Sequence, residues 1–123
     1  MTTTFRCLFS ILFLALVIKG SEGKCSAYDL VVGTIRSGYD VKGVPEWNVI
    51  VQNNCNCSQS HILLSCPGFT TEEPVDPSIF LVIRPNTCLL IKGGSLAPHG
   101  TVKFSYARDP PILIRPISSV GSC

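Results

Sequence analysis

The sequence predicts an all-β fold, a disulfide-stapled antiparallel β-sandwich of about seven short strands. Three observations lead to it: a hydrophobic period of two, turn residues between short apolar runs, and an even set of cysteines behind an N-terminal apolar segment. The chain has 123 residues, of which 15% are charged, and a formal net charge of +2. This length suits one domain, and so small and dispersed a charge argues against nucleic-acid binding.

The first 23 residues resemble a secretory signal peptide. Arg6 precedes an unbroken run of twelve apolar or small residues, and Ser21 and Gly23 supply the small residues of a cleavage site. The run is shorter than the roughly 20 apolar residues that cross a membrane. We therefore expect residues 1–23 to be removed, and residues 24–123 to form a single secreted domain with no membrane insertion.

Removing that segment leaves an even number of cysteines in an oxidising compartment. The six are Cys25, Cys55, Cys57, Cys66, Cys88 and Cys123. We predict three disulfides and no free thiol, with the pairing open, except that Cys55 and Cys57 are too close along the chain to bond each other without strain. The alternative is a zinc site at Cys55, Cys57, His61 and Cys66, but its first two cysteines lack the usual spacing.

Strands are predicted where apolar and polar residues alternate or where β-branched and aromatic residues cluster. The segments are 28–32, 47–52, 61–66, 79–84, 88–92, 102–107 and 112–115. Pro85 and Asn86 predict a hairpin between the fourth and fifth of these, and Gly38 predicts a turn at 36–38. Alternation turns Trp47, Phe104 and Tyr106 toward the core.

The sequence contains no recognisable catalytic motif. His61 and His99 are the only histidines, and neither belongs to a metal-ligand pair. A nucleophile elbow is absent, and oxidised cysteines leave no thiolate for catalysis. We therefore expect a non-enzyme without cofactor or metal.

Two charged loops are the candidate partner-binding segments, because charge at a loop steers association and selects partners. They are residues 36–44, with Arg36, Asp40 and Lys42, and residues 68–78, with Glu72, Glu73 and Asp76. The three acids are interpreted as a solvated loop rather than as a calcium site or a catalytic pair, since nothing in the sequence indicates a cleft.

Two further residues have alternative interpretations. Asn56 begins an N-x-[ST] sequon and is a candidate glycosylation site. Trp47 is predicted to anchor the core, because its strand neighbours are apolar. Its alternative role is to stack on a sugar ring with Phe69, which would make the protein an extracellular carbohydrate-binding module that recognises cell-wall polysaccharide without catalysis.

Short segments around the cysteines form an ordered set along the predicted mature chain. They are Cys25-Ser26-Ala27-Tyr28-Asp29-Leu30, Pro45-Glu46-Trp47-Asn48-Val49, Asn53-Asn54-Cys55-Asn56-Cys57, Leu64-Ser65-Cys66-Pro67-Gly68-Phe69, Val75-Asp76-Pro77, Cys88-Leu89, Phe104-Ser105-Tyr106-Ala107 and Cys123. Together they resemble the plant TAPETUM DETERMINANT-like family of small secreted cysteine-rich proteins.

The resemblance implies a secreted signalling ligand in the apoplast. Its best-known members are ligands of a leucine-rich-repeat receptor kinase that specifies cell fate in anthers, which makes such an ectodomain the expected partner. The resemblance implies that the six cysteines correspond to the family's cysteine set. It identifies no residue of this chain as a receptor contact.

Overall fold

The computed structural model describes residues 24–123, so the predicted signal peptide lies outside the described residues. The strands are β1 (Leu30–Val41), β2 (Val44–Asn53), β3 (Ser58–Ser65), β4 (Phe80–Arg84), β5 (Thr87–Leu90), β6 (Thr101–Ala107) and β7 (Arg115–Ser122). Short 3₁₀ turns lie at Ala27–Asp29 and Ile91–Gly93. No helix in the described part is both long enough and apolar enough to span a membrane.

The strands form two antiparallel sheets, with orders β1-β2-β6 and β4-β5-β3-β7. Val49 of β2 lies opposite Phe104 of β6, and both side chains are buried. Ile62 and Leu64 of β3 contribute the facing side of the same hydrophobic core. The predicted all-β sandwich with seven strands is therefore confirmed.

The disulfides pair Cys25 with Cys55, Cys57 with Cys123, and Cys66 with Cys88. Cys55 and Cys57 each bond a distant cysteine, as predicted. The three cysteines of the alternative zinc set belong to three different disulfides, so they offer no thiolates to a metal in this oxidised state. Cys66 and Cys88 lie in the core and tie the end of β3 to β5.

The turn predicted at 36–38 is wrong, because β1 continues through it to Val41. The register between β1 and β2 shifts between Arg36 and Asp40, and Gly38 has φ of +98° within this bulge. The chain instead reverses at Lys42 and Gly43, which both have the positive φ that a tight hairpin turn requires. Glycine here accommodates a bulge and not a turn.

The strand predicted at 112–115 is also misplaced, because β7 begins at Arg115 and runs to Ser122. The backbone N–H of Ile112 donates to the hydroxyl of Tyr106 and not to a strand. β7 is an edge strand, the position in a sheet where proline is tolerated, and it contains Pro116. Half of its eight residues are arginine or serine, and a proline and a glycine lie among the others, so its sequence resembles a loop.

The strand predicted at 88–92 ends early, at Leu90. Ile91 and Lys92 have φ of +43° and +56°, a left-handed conformation that no strand continues. The hairpin itself is confirmed: β4 pairs antiparallel with β5 around Pro85 and Asn86.

Candidate functional site: the charged end of the three-stranded sheet

The two charged segments predicted from the sequence lie at the same end of the three-stranded sheet. Asp40 of β1 is opposite Pro45 of β2, and the next residue, Glu46, is opposite Ala107 of β6. Beyond β6, the backbone N–H of Glu72 donates to the carbonyl of Ala107 at 2.9 Å. Since neighbouring strands are about 4.8 Å apart, these segments lie within roughly 15 Å of each other. We call this surface, made of Arg36, Tyr39, Asp40, Lys42 and Glu72, the charged end.

The β1–β2 hairpin contributes most of the charged end. Arg36 and Asp40 form an exposed ion pair with an N···O distance of 3.7 Å. Tyr39 is 73% exposed, and its N–H donates to the hydroxyl of Ser37 at 3.1 Å. Lys42 is exposed at the turn. Because an exposed ion pair contributes at most about 1 kcal/mol, these charges remain available to a partner.

Loop 68–78 is held against the edge of β6. The hydroxyl of Thr71 accepts the N–H of Ala107 at 2.9 Å and donates to the carbonyl of Glu73 at 2.8 Å. The guanidinium of Arg108 donates to the carbonyl of Gly68 at 2.9 Å. The loop therefore covers the C-terminal end of the edge strand β6, and its backbone position there is fixed relative to the sheet.

The three acids of this loop lie in different environments. Glu72 is exposed. Asp76 accepts from the N–H and the hydroxyl of Ser78 at 2.9 and 2.8 Å, and these hydrogen bonds lower the pKa of Asp76. Glu73 is half-buried, and its Oε1 has no hydrogen-bond partner among the described residues. Burial and the nearby carboxyl of Glu46 raise the pKa of Glu73. Glu72 is thus the acid best placed to meet a partner.

Glu73→Gln should reduce the loss in free energy of unfolding that the wild type shows as the pH rises. The pKa of Glu73 in the folded state is raised above its ordinary value of 4.5. Below pH 4.5 the carboxyl is protonated in both the folded and the unfolded protein, so it does not change the free energy of unfolding. As the pH rises through the raised pKa, the carboxyl ionises more easily in the unfolded protein than in the folded one, and the wild type should lose stability. Urea unfolding between about pH 4 and about pH 7 measures this difference.

Glu72→Gln is the matched control for this pH experiment, since it removes a carboxylate from the exposed neighbour. Parallel pH profiles for the wild type and Glu73→Gln would show that the environment of Glu73 does not destabilise its ionised form.

The aromatic residues considered for sugar stacking are packed against the core. The indole N–H of Trp47 donates to the carbonyl of Arg108 at 2.8 Å, and the ring is partly buried on the core. Phe69 packs edge-on against Phe80 and Tyr106, with ring centroids 5.1 and 5.4 Å apart. The inward orientation predicted for Trp47 is confirmed.

The strongly exposed aromatic residues of the described chain do not form a row. Tyr28 is 98% exposed and Tyr39 is 73% exposed, and they lie at opposite ends of β1. Ten residues lie between them, nine of which belong to β1, and this stretch of strand corresponds to roughly 30 Å. A sugar-stacking platform needs aromatic rings side by side, and these two rings are too far apart to provide one.

Trp47→Ala should lower the free energy of unfolding by about 3 kcal/mol, because it removes a ring packed on the core and leaves the carbonyl of Arg108 without its donor. Denaturant unfolding measures the loss. Trp47→Phe is the control that keeps an aromatic ring and removes the N–H, and it should cost only about 1 kcal/mol. An alanine variant as stable as the wild type would show that Trp47 does not anchor the core, and would favour the sugar-stacking role.

A buried polar cluster at the other end of the sheet is not predicted from the sequence. Asn53 and Gln59 are both fully buried. The side-chain nitrogen of Asn53 donates to the carbonyls of Cys57, Leu96 and Ala97 at 2.9, 3.2 and 3.1 Å. Its oxygen accepts from the N–H of Cys55 and from Gln59 at 3.2 and 3.0 Å. Alternation along β2 is the sequence feature that could have predicted the burial of Asn53, since this residue continues the inward-facing series of Val49 and Val51.

Asn56, the candidate glycosylation site, is exposed between two disulfide-bonded cysteines. Its side-chain oxygen lies 3.2 Å from Nε2 of His99. Glycosylation of Asn56 stays a prediction. His61 is also exposed, and its Nδ1 lies 3.2 Å from the hydroxyl of Ser60.

Comparison with known proteins identifies the family of this chain. A family model described as Tapetum determinant 1, C-terminal, matches residues 26–123. The chain therefore belongs to the Tapetum determinant 1 family, as the sequence resemblance indicated.

Curated relatives come from two plants. The chain is 36% identical to TPD1 protein homolog 1B of Oryza sativa subsp. japonica over 86 residues, which cover 69% of this chain and 51% of the relative. It is 31% identical to TPD1 protein homolog 1 of Arabidopsis thaliana over 87 residues, or 69% and 49% of the two chains. TPD1 protein homolog 1A of rice is 29% identical over 110 residues, or 83% and 48%. The chain thus spans about half the length of the curated relatives it matches. No solved structure matches it significantly.

Proposed function

We propose that this protein is a secreted, non-enzymatic signalling ligand of the plant apoplast, recognised through its charged end by the ectodomain of a leucine-rich-repeat receptor kinase. It would act in cell-fate or reproductive development, as the family resemblance implies. The observation that carries the proposal is the meeting of the two charged segments with the exposed Tyr39 at one end of a rigid sandwich.

Rigidity supports recognition by this surface. Three disulfides staple the described domain, so little chain entropy remains to be lost on binding and docking proceeds largely as a rigid body. Tyrosine and arginine are typical of binding hot spots, and the exposed Tyr39 and Arg36 are three residues apart on the same strand. The surrounding charges of Asp40, Lys42 and Glu72 would steer encounter and select the partner more than they would add affinity.

The experiment measures the kinetics with which the oxidised protein binds a panel of immobilised receptor-kinase ectodomains. Tyr39→Ala should weaken binding by at least about tenfold, mainly through faster dissociation. Tyr28→Ala is the matched control, because Tyr28 is an even more exposed tyrosine at the opposite end of β1. Equal losses for the two variants, or none for Tyr39→Ala, would contradict the charged end as the receptor-binding surface.

Charge reversal at Glu72 tests the steering role separately. Glu72→Lys should slow association and change its salt dependence, while the unfolding curve stays that of the wild type. Glu73 is left unchanged, since its half-buried carboxyl would couple binding to folding. Association kinetics unchanged at low salt would exclude Glu72 from the interface.

A further inference from the structure

Two of the three disulfides lie side by side at the end of the sandwich opposite the charged end. The sulfur atoms of Cys25 and Cys123, which belong to different disulfides, are 3.9 Å apart. The sulfurs of Cys25, Cys57 and Cys123 all lie within 4.8 Å of one another. We call Cys25, Cys55, Cys57 and Cys123 the sulfur cluster. Its two disulfides are in van der Waals contact, and a new bond between them needs little backbone movement.

A solvent-open cavity adjoins the sulfur cluster. It has a volume of about 350 Å³ and is lined by Lys24, Cys25, Gly121 and Cys123. Lys24 and Cys123 are exposed. A nearby ammonium group favours a thiolate, the reactive form in disulfide exchange, and attracts other anions. The cavity therefore combines room for a small molecule, a positive charge and an accessible disulfide.

The third disulfide is shielded from such attack. Cys66 and Cys88 are 1% and 0% exposed, whereas Cys25, Cys55 and Cys57 are half-buried and Cys123 is exposed. Exchange requires a thiolate to reach a disulfide sulfur. The described domain therefore contains one protected disulfide, Cys66–Cys88, and two accessible disulfides.

We propose that the cavity binds a low-molecular-weight anionic thiol, and that the sulfur cluster is a thiol–disulfide exchange site in which Cys25 and Cys57 become bonded. The incoming thiolate attacks Sγ of Cys123, which lines the cavity, forms a mixed disulfide there and releases Cys57 as a thiolate. The Cys57 thiolate, whose sulfur lies within 4.8 Å of that of Cys25, then attacks Sγ of Cys25, which forms the Cys25–Cys57 disulfide and releases Cys55. Cys55 takes up the proton that the small thiol lost.

This sequence conserves the number of disulfide bonds and consumes one small thiol. Two protein disulfides become one protein disulfide and one mixed disulfide, and no external oxidant or reductant is needed. The released Cys55 does not bond Cys57, because only one residue separates the two cysteines and a disulfide between them would be strained.

The exchange changes which part of the chain is tethered. The Cys55-Asn56-Cys57 segment loses its tie to the C-terminal Cys123 and is held by one disulfide, Cys25–Cys57, and by the hydrogen bonds to Asn53. The sandwich keeps Cys66–Cys88 and its core. The consequence is local loosening of the segment that carries Asn56, at the end remote from the charged end.

The experiment treats the oxidised protein with reduced glutathione, an anionic tripeptide thiol, and traps free thiols at intervals with an alkylating reagent. Peptide mapping should show a Cys25–Cys57 link, glutathione on Cys123 and alkylated Cys55, with Cys66–Cys88 intact. Opening of all three disulfides together, or adducts without a Cys25–Cys57 link, would overturn the proposal.

Lys24→Gln tests the cavity without changing a cysteine. It should slow the reaction with glutathione by about two- to fivefold and slow the reaction with 2-mercaptoethanol less, because the latter carries no charge besides its thiolate. Equal effects on the two thiols would contradict an anion-binding cavity. Cys25→Ser combined with Cys55→Ser removes the receiving disulfide, and glutathione should then leave Cys57 as a stable free thiol.

Discussion

Asn53→Ala should lower the free energy of unfolding by at least about 3 kcal/mol, because it leaves several buried polar groups without partners. The side chain is fully buried and bridges the end of β2, the disulfide-bonded segment and the loop before β6. Gln59, itself buried, would lose the acceptor for its side-chain N–H. An unpaired buried donor or acceptor costs about 1–3 kcal/mol, and alanine cannot replace any of these bonds.

Denaturant unfolding of the oxidised protein measures this effect. Asn54→Ala is the matched control, since the adjacent asparagine is exposed and its loss should change stability by less than about 0.5 kcal/mol. Asn53→Asp is a sharper variant, because it keeps an acceptor for Gln59 and removes the donor to three carbonyls. Similar stabilities for Asn53→Ala and Asn54→Ala would show that the buried cluster contributes little.

Strands β2 and β6 were predicted well from the sequence because one face of each is buried. Apolar residues then alternate with polar ones, and the period of two is a direct consequence of that burial. The hairpin of β4 and β5 was predicted for a different reason: Pro85 and Asn86 have backbone preferences that suit a tight turn. In both cases the information is local along the chain.

The missed features depend on contacts distant in sequence. β7 is an edge strand rich in serine, and its strand conformation comes from pairing with β3. The extension of β1 past Gly38 likewise depends on β2, which pairs again with β1 at Asp40 after the bulge. Propensity alone favours loops at both places, and tertiary pairing overrides it.

The candidate site was predicted in part. The charged segments were found from composition, but their meeting at one end follows from the β2–β6 register and from the contact of Glu72 with Ala107. The different environments of Glu73 and Asp76 are also tertiary, since they follow from burial and from the local turn at Ser78. The sequence shows which residues are charged. Only the fold shows which of these side chains are exposed and have no hydrogen-bond partner within the domain.

Tyr106→Ala should be the most destabilising substitution considered, with an expected loss of about 4–5 kcal/mol. The side chain is fully buried, and its ring packs edge-on against Phe69. Its hydroxyl accepts the N–H of Ile112 at 2.8 Å and lies 3.4 Å from the carbonyl of the same residue. Alanine would therefore leave a cavity in the core and release the segment that leads into β7.

Tyr106→Phe separates these two contributions, because it fills the core and removes only the hydroxyl. We expect it to cost about 2 kcal/mol, since the buried N–H of Ile112 would lose its acceptor. Unfolding of both variants by urea gives the two free energies, and amide hydrogen exchange at Ile112 shows whether the segment has been released. Slow exchange at Ile112 in Tyr106→Phe would mean that another acceptor holds the segment and that Tyr106 acts only through its ring.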